Sequence, residues 1–171
     1  MVNITTMDTP TTIALALRYP TEDTMSKLGA SVEALPKGGA EKEMRKFIAS
    51  IDKLDLSRAE EVYTATFDLT PVVAPYVGHL VWADSYERGT FMAELKGAMH
   101  DVGVDPAGEL PDHLEPILRY LAVAEEPIDR LGPVLVPAIT KMEKTLKKSD
   151  SKNPYVHVLA AARIYAEERM R

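Results

Sequence analysis

The sequence predicts an all-α protein, a single-domain helical bundle of about seven to nine helices. Apolar residues recur with the 3.6-residue period of a helix along nearly the whole chain. The alternating pattern of a half-buried strand is not sustained anywhere, and Asn-Gly and Asp-Gly hairpin turns are missing. With 171 residues, 46% of them hydrophobic, the chain has the size and apolar content of one domain with one core. We expect this domain to span residues 1–171, with residues 1–40 as an N-terminal helical part.

Two successive helices are predicted after residue 40. Apolar residues at i, i+3, i+4 and i+7 form the stripe of the first helix: Met44, Phe47, Ile48 and Ile51. Ser57 and Glu60 have the spacing of a capping box, which predicts that the next helix begins at Ser57. Its apolar positions are Val62, Tyr63 and Phe67.

A long helix is predicted in the middle of the chain. Asp84 and Glu87 are suited to cap its start, and Gly103 is a typical helix stop. One side of this helix is apolar, with Phe91, Leu95, Ala98 and Val102. Loops are predicted at Gly38-Gly39, at residues 104–111 and at residues 149–153, where glycine, proline or polar residues cluster.

Two further stripes and a proline signal predict the C-terminal helices. The stripes are Leu114, Ile117, Leu118 and Leu121, then Ile128, Leu131, Leu135, Ala138 and Met142. Pro133 and Pro137 should break or kink the second of these helices, because each removes a backbone donor and crowds the preceding turn. Asn153-Pro154 predicts an N-cap followed by proline at the first helical position, opening a helix that runs to the C-terminus.

Charge and composition exclude several function classes. A net charge of −6 and a pI of about 5.3 leave no excess cations to neutralise phosphates, so we expect no nucleic-acid partner and favour a basic one. The basic run Lys141–Lys148 is interrupted by apolar residues and predicts a solvated helix face. Without cysteine, disulfides and thiolate chemistry are excluded. No apolar run is long enough to span a bilayer, and Ile13–Leu17 is too short for a signal-peptide core, so we expect a cytoplasmic protein without membrane insertion.

Catalytic and metal signatures are missing from the sequence. The four histidines, His79, His100, His113 and His157, are not spaced i, i+3 or i+4 from one another, and no His-Glu-x-x-His or Glu-x-x-His pattern occurs. We therefore expect no metal site. A Gly-x-Ser-x-Gly elbow and phosphate-binding loops are also missing.

Two short segments at the mouths of predicted helices hold the candidate functional residues, Phe67-Asp68-Leu69-Thr70-Pro71 and Glu109-Leu110-Pro111-Asp112-His113. Asp112 has two interpretations, as an N-cap with Glu115 three residues later or as a functional carboxylate; Pro116 complicates the cap by deleting an early helical bond. His113 has no structural duty readable from the sequence, which favours function. The two could form a general acid/base pair, although adjacent side chains at a helix start usually point apart.

Trp82, the only tryptophan, also admits two interpretations. Its place on an apolar helix favours the core, and the alternative is the wall of a peptide groove, where aromatic anchors are common. Residues 67–75, with two prolines, predict either a corner between helices or the rim of such a groove.

The order and spacing of three motifs over about residues 40–165 resemble the NarJ-type nitrate reductase assembly chaperones, within the TorD/DmsD/NarJ group of redox-enzyme maturation proteins. The motifs are Phe67-Asp68-Leu69-Thr70-Pro71, the stretch from Tyr76 to Asp84-Ser85-Tyr86-Glu87-Arg88-Gly89, and Glu109-Leu110-Pro111-Asp112-His113-Leu114. Trp82 departs from this branch, which often has another aromatic or aliphatic residue there, and the chain is shorter than many members.

The resemblance implies a cytoplasmic, all-helical, non-enzymatic chaperone. Its client would be the catalytic, molybdopterin-binding subunit of a molybdenum oxidoreductase, nitrate reductase or a relative, recognised through its N-terminal leader and held competent for insertion of the molybdenum cofactor. No cofactor would be bound stably by the chaperone itself. The resemblance and the adjacent helices give the following expected client-binding residues: Glu109, Pro111, Asp112, His113, Leu69, Tyr76, Trp82 and Arg88. The alternatives are a helical adaptor for unrelated proteins and a small hydrolase using Asp112 and His113.

Overall fold

The protein consists of helices joined by short connections. The computed structural model describes residues 7–69 and 71–171, and within these ranges it contains nine α-helices and no strand. Residues 1–6 and Thr70, which belongs to a predicted motif, lie outside the described residues. The helices are α1 (Thr9–Ala16), α2 (Glu22–Glu33), α3 (Gly39–Ile51), α4 (Leu56–Phe67), α5 (Val77–Trp82), α6 (Tyr86–Asp101), α7 (Leu114–Val123), α8 (Leu131–Ser149) and α9 (Tyr155–Arg169). The predicted fold class and helix number are confirmed.

Helix α4 begins earlier than the sequence predicts. Its N-cap is Asp55, whose Oδ1 accepts a hydrogen bond from the Arg58 backbone N–H at 2.9 Å. A carboxylate here satisfies one of the unpaired N–H groups of the first turn and interacts favourably with the helix dipole. The predicted cap at Ser57 is therefore wrong, because Ser57 already lies inside the helix that Asp55 starts.

Helix α6 also starts from a different residue than predicted. Ser85 is its N-cap residue, and Tyr86 is the first helical residue. Asp84 does not cap the helix; its Oδ1 instead accepts a hydrogen bond from Nη1 of Arg88 at 3.2 Å. The predicted stop is confirmed, since Gly103 follows the helix with φ +75°, a conformation that glycine adopts without steric cost.

Helix α8 continues through both prolines. Pro133 lies in its first turn, where a backbone N–H would have no helical acceptor, so the missing donor costs little. Pro137 lies inside the helix, which extends unbroken from Leu131 to Ser149. Of the predicted break or kink, the break is therefore wrong, and Ile128 belongs to the connection before the helix.

The start of α9 follows the prediction closely. Oδ1 of Asn153 accepts a hydrogen bond from the Tyr155 backbone N–H at 2.9 Å. Pro154 already has helical backbone angles, φ −55° and ψ −33°, although the helix is assigned from Tyr155. Asparagine thus caps this end, and proline supplies a preformed helical φ.

Helix α9 is the centre of the core. It packs against α1, α3 and α8, while α7 packs on α1. Its residues 158–162 are all buried, so it is covered on more than one face. Most residues of the predicted stripes are buried, and each fully buried leucine or isoleucine contributes roughly 1.5–3 kcal/mol relative to exposure. The stripe predicted for α6 is wrong at its end: Val102 is 39% exposed, and Met99 is buried instead. Four aromatic rings meet at 5.0–5.8 Å between centroids where α4 reaches α9: Phe47, Tyr63, Phe67 and Tyr155.

The basic run of α8 faces solvent as predicted. Met142 and Leu146 turn into the core, whereas the lysines of the run are exposed. Glu143 is buried beside them, and its carboxylate accepts hydrogen bonds from Lys147 at 3.0 Å and from Arg163 at 2.6 Å. In the two described ranges no helix has the length and apolar character needed to cross a bilayer.

Candidate functional site

The two predicted segments meet in space. The backbone N–H of Val77 donates to the carbonyl of Asp112 at 2.8 Å, and that of Leu114 donates to the carbonyl of Pro75 at 2.9 Å. An isolated antiparallel bridge pairs Tyr76 with His113 between them. We call residues 75–77 and 112–114 the joint. It ties the connection after α4 to the start of α7.

Asp112 and His113 lie on opposite faces of the joint. The backbone is extended at His113, with φ −65° and ψ 138°. Successive side chains of an extended segment point to opposite sides. The Asp112 carboxylate accordingly lies towards α5 and α6, and the His113 imidazole lies towards a cavity beside α1 and α4. No hydrogen bond joins these two side chains in the described part of the chain, so the geometry does not form the acid/base pair considered from the sequence.

Asp112 is completely buried and paired with Arg88. Nε and Nη2 of Arg88 donate to its two carboxylate oxygens at 2.9 and 3.3 Å, a forked arrangement that suits guanidinium and carboxylate. Gly78 makes the approach possible, because a Cβ there would lie 2.7 Å from Oδ2 of Asp112 and 3.2 Å from Cγ of Arg88. Hydrogen bonding to the Asp112 carboxylate raises the pKa of the Arg88 guanidinium. The pair fixes the position of α7 relative to α5 and α6.

His113, and not Asp112, is the N-cap of α7. Its Nδ1 accepts a hydrogen bond from the Glu115 backbone N–H at 3.0 Å. The cap predicted at Asp112 is wrong, as is the expectation that His113 lacks a structural role. The helix also begins later than the sequence suggested, which places Pro116 in the first turn, where its missing N–H removes no helical bond. The shift arises because Arg88 holds the Asp112 carboxylate away from the helix start.

The buried His113 ring favours its neutral form. Burial lowers the pKa of His113, and the nearby carboxylates of Glu109, Glu115 and Asp112 only partly oppose this. Because Nδ1 accepts a hydrogen bond, the proton of the neutral ring lies on Nε2. The ring is 6% exposed and packs edge-on against Tyr76, with 5.1 Å between centroids.

Tyr76 links the joint to Glu109. Its hydroxyl donates to Oε2 of Glu109 at 3.1 Å, and the Arg88 guanidinium lies 5.8 Å from its ring centroid. Burial, followed by the charge of Glu109 and the hydrogen bond to it, raises the pKa of Tyr76 to about 12. The hydroxyl therefore stays protonated and holds Glu109, which is itself exposed.

A cavity of about 480 Å³ opens on the His113 side of the joint. It is bounded by the connection after α1, by α4 and the residue after it, by the 104–113 segment and by the first turn of α7: Leu17, Arg18, Tyr19, Tyr63, Asp68, Pro106, Ala107, Glu109, His113 and Glu115. Ala107, in the wall of the cavity, has a backbone φ of +57°. The N–H of Ala107 donates a hydrogen bond to Oδ1 of Asp105 at 2.8 Å. We call this space the acidic cavity, because three carboxylates and one guanidinium line it.

The buried base of the acidic cavity is already neutralised. Glu115 is 5% exposed, and its Oε1 accepts hydrogen bonds from Nε of Arg18 at 3.0 Å and from Nε of Arg119 at 2.7 Å. Nη2 of Arg119 donates to the other oxygen at 3.0 Å. The two exposed carboxylates at the rim, Asp68 and Glu109, have no cation within 4.0 Å in the described ranges.

The structure brings together most, but not all, of the predicted site residues. Glu109, Asp112, His113, Tyr76 and Arg88 are connected through the joint, and Pro111 directly precedes it. Two predicted residues lie elsewhere, Leu69 and Trp82. Leu69 is 75% exposed on the connection after α4, and Trp82 is half-buried, with its ring 5.1 Å from that of Phe91 and 5.4 Å from the Arg130 guanidinium.

Several residues of the acidic cavity could not be predicted from the sequence. Arg18 and Tyr19 reach it from the connection after α1, and Tyr63 from α4, and no motif connects them with residue 113. Glu115 was considered only as the partner of a cap at Asp112. Of the two rim carboxylates, Glu109 is a predicted site residue, and Asp68 lies within the predicted segment Phe67–Pro71 but is not among the predicted site residues.

The polar side chains near the joint do not form a metal centre. Across residues 7–69 and 71–171, no group of three or more His, Cys, Asp and Glu side chains is arranged to hold a metal ion. The joint instead offers a rigid base with a polar, aromatic opening beside it. Such an opening can bind part of another molecule.

A comparison with known protein families gives a match. The model of a protein family described as "Nitrate reductase delta subunit" matches residues 33–157, well over half of the chain. The matched range contains all eight predicted site residues and the whole joint. A comparison with curated proteins gives no match.

Proposed function

The chain belongs to the nitrate reductase delta subunit family, a family of chaperones, and we propose that it binds the catalytic subunit of a molybdenum oxidoreductase. The client would be nitrate reductase or a relative, and the chaperone would support insertion of the molybdenum cofactor and assembly of the enzyme. The contact would be made through the N-terminal leader of the client. The chaperone acts before the client is complete, so its binding must be reversible.

The observation that carries this proposal is the acidic cavity beside a rigid joint. A leader that combines basic and apolar residues would find carboxylates of opposite charge at Asp68 and Glu109. Each of these is followed by an exposed leucine, Leu69 at 75% and Leu110 at 46% exposure. Each carboxylate of the rim is thus followed in the chain by an exposed apolar side chain, and a basic amphipathic segment needs contacts of both kinds.

The predicted site residues would then divide into two roles. Glu109 and His113 line the opening, and Tyr76 contacts both of them. These three would contact the client, together with Leu69, which is exposed next to Asp68 of the lining. Asp112 and Arg88 are paired beneath the surface and would position the joint without direct contact. Trp82, half-buried against Phe91, would contribute only if the binding surface extends over α5.

The chaperone's own residues would bind protein and not cofactor. The molybdenum cofactor is cargo that enters the client while the chaperone is attached. What this chain supplies is a surface that holds the client leader and, by charge, speeds its encounter.

Calorimetry with a synthetic peptide of the client's N-terminal leader tests the binding step. We expect a dissociation constant on the order of micromolar, corresponding to roughly 8 kcal/mol, because a chaperone must release its client. Affinity should fall as salt is raised from 50 to 500 mM, since the rim carboxylates are exposed and their charge is screened (Debye lengths of about 14 and 4 Å). A peptide of the same composition in scrambled order is the control.

A cellular assay tests the assembly step. In cells lacking the chaperone, the catalytic subunit should accumulate with little molybdenum cofactor, and the wild-type chain should restore cofactor content. Normal cofactor content without the chaperone would contradict the proposal.

A further inference from the structure

We infer that the acidic cavity binds one basic side chain, of lysine or arginine, together with the main-chain carbonyl beside it. The inference rests on the proposed function and deepens it, because it identifies which part of a client this cavity recognises. Its volume of about 480 Å³ lies within the roughly 300–1,000 Å³ typical of ligand pockets. It is therefore large enough for a single residue and its adjoining peptide groups.

The charge of the lining selects a cation. Asp68 and Glu109 face the opening without a cation within 4.0 Å in the described part of the chain, whereas Glu115 at the base is held by two arginines. Among the described residues that line the cavity, Arg18 is the only lysine or arginine, and its Nε is already bonded to Glu115. The negative charge available to a ligand is thus concentrated at the rim.

Two tyrosines give the cavity an aromatic wall. Tyr63 donates its hydroxyl to the carbonyl of Leu17 at 2.8 Å, which fixes the ring, and Tyr19 packs edge-on against it with 5.6 Å between centroids. Burial, then the charges of Glu109 and Asp68, raises the pKa of Tyr63 to about 12, which agrees with their closeness. Cations are attracted to the faces of aromatic rings.

His113 supplies an independent sign of a ligand. The side chain is more than nine-tenths buried and lines the cavity, yet only its Nδ1 is bonded. The proton on Nε2 has no acceptor within hydrogen-bond distance among the residues described. Nε2 is not fully enclosed, since among the described residues Thr12 Oγ1 alone is a fully buried side-chain polar atom without a partner. The donor is instead reached through the cavity, and a carbonyl oxygen that enters there would accept its hydrogen bond. A simple metal ion or ammonium would leave this donor unused, whereas a basic residue in a peptide satisfies both ends of the cavity.

The first test uses a small probe that requires no knowledge of the client. The full chain, labelled with ¹⁵N, is titrated with Nα-acetyl-arginine methylamide and with the neutral analogue Nα-acetyl-citrulline methylamide. We expect the arginine probe to shift the amide resonances of Tyr63, Asp68 and Glu109 and to bind at least several-fold more tightly than the citrulline probe. Equal binding of the two probes would overturn the inference.

Variants of the rim locate the binding. The double variant Asp68→Asn, Glu109→Gln should weaken binding of the arginine probe about tenfold, because charge-assisted hydrogen bonds contribute more than neutral ones. Glu126→Gln, which lines a separate depression, removes a charge elsewhere and should leave the affinity unchanged. Equal weakening by this control would show only the effect of net charge and would overturn the inference. Stronger binding of alanine methylamide, which carries a free α-amino group, would assign the cavity to a chain terminus and would also overturn it.

The two levels of the hypothesis fail separately. If the arginine probe binds at the rim but the client leader does not bind the chain, the cavity inference stands and the proposed function falls. If the leader binds with the same affinity to the wild type and to the rim variant, the proposed function stands and the inference is wrong.

Discussion

The two faces of the joint use neighbouring residues for opposite purposes. On the α5–α6 face, Asp112 is fully buried, forked onto Arg88 and approached closely by Gly78. On the opposite face, His113 borders a cavity of about 480 Å³, and the two carboxylates at its rim, Asp68 and Glu109, form no ion pair within residues 7–69 and 71–171. One face is closed, and its buried carboxylate is paired with a guanidinium. The other face is open, and its exposed carboxylates are available to a ligand.

The difference shows how a rigid support can stand behind an open binding surface. A protein is strongly destabilised when one partner of a buried ion pair is removed, because the other charge is left buried and unpaired. Separating Asp112 from Arg88 would have a similar cost, so the closed face resists local opening. The open face needs this support, because His113, Tyr76 and Glu109 keep their positions only while the bridge between residues 76 and 113 holds. Damage to the closed face should therefore lower stability, and damage to the rim should affect binding alone.

The largest effect should come from Arg88→Met. It leaves the buried Asp112 carboxylate without its partner, and we expect the free energy of unfolding to fall by roughly 3 kcal/mol, at the lower end of the cost for breaking a buried pair because Arg88 is 12% exposed. Chemical denaturation measures this. The matched control is Arg58→Met, which breaks an exposed pair with Glu61 and should cost less than about 1 kcal/mol. Similar losses in both variants would mean that the buried pair contributes no more to stability than an exposed one.

Gly78→Ala should have the next largest effect. The added Cβ would lie 2.7 Å from Oδ2 of Asp112, so the pair or α5 must shift, at a cost of about 1–3 kcal/mol. Gly97→Ala is the control, since its Cβ would meet no atom within 4 Å and alanine favours the helix by up to about 1 kcal/mol. A Gly78→Ala variant as stable as the wild type would show that the close approach is not restrictive.

On the open face, a pair of substitutions separates capping from ligand binding at His113. His113→Ala removes the acceptor for the Glu115 N–H, whereas His113→Asn supplies another good cap. Alanine should therefore be about 1 kcal/mol less stable than asparagine by thermal or chemical denaturation. Both variants lack the Nε2 donor, so both should bind the arginine probe more weakly. Equal stability would indicate that the cap contributes nothing.

The smallest effect should be a pH dependence confined to the open face. Burial lowers the pKa of His113, so below the usual imidazole pKa of about 6.5 the unfolded chain takes up a proton more readily than the folded one. The stability due to His113 is thus fully present above that pH and decreases as the pH falls towards the folded-state pKa. Denaturation at pH 7.5 and pH 5.5 should show a larger loss for the wild type than for His113→Asn. Parallel losses would contradict the assignment.

Local patterns in the sequence predicted much of this fold. The stripes at residues 44–51, 114–121 and 131–142 became buried helix faces because their spacing matches the helical period, which does not depend on the partner. The cap at Asn153 was predicted correctly for the same reason, since it involves only residues close in the chain. The resemblance to NarJ-type chaperones, carried by three short motifs, is confirmed by the family match.

The sequence by itself therefore determined the helical class, the core faces and the family, all of which follow from short-range order along the chain. Tertiary structure alone decided the roles of Asp112, His113 and Glu115, because each depends on a group distant in sequence: Arg88, Tyr76 and Arg18. Capping preference made Asp112 the better candidate for the start of α7, yet the buried guanidinium binds its carboxylate more strongly than a backbone N–H could. In the low-dielectric interior, the ion pair between Arg88 and Asp112 is stronger than the capping preference of aspartate, so His113 caps the helix instead.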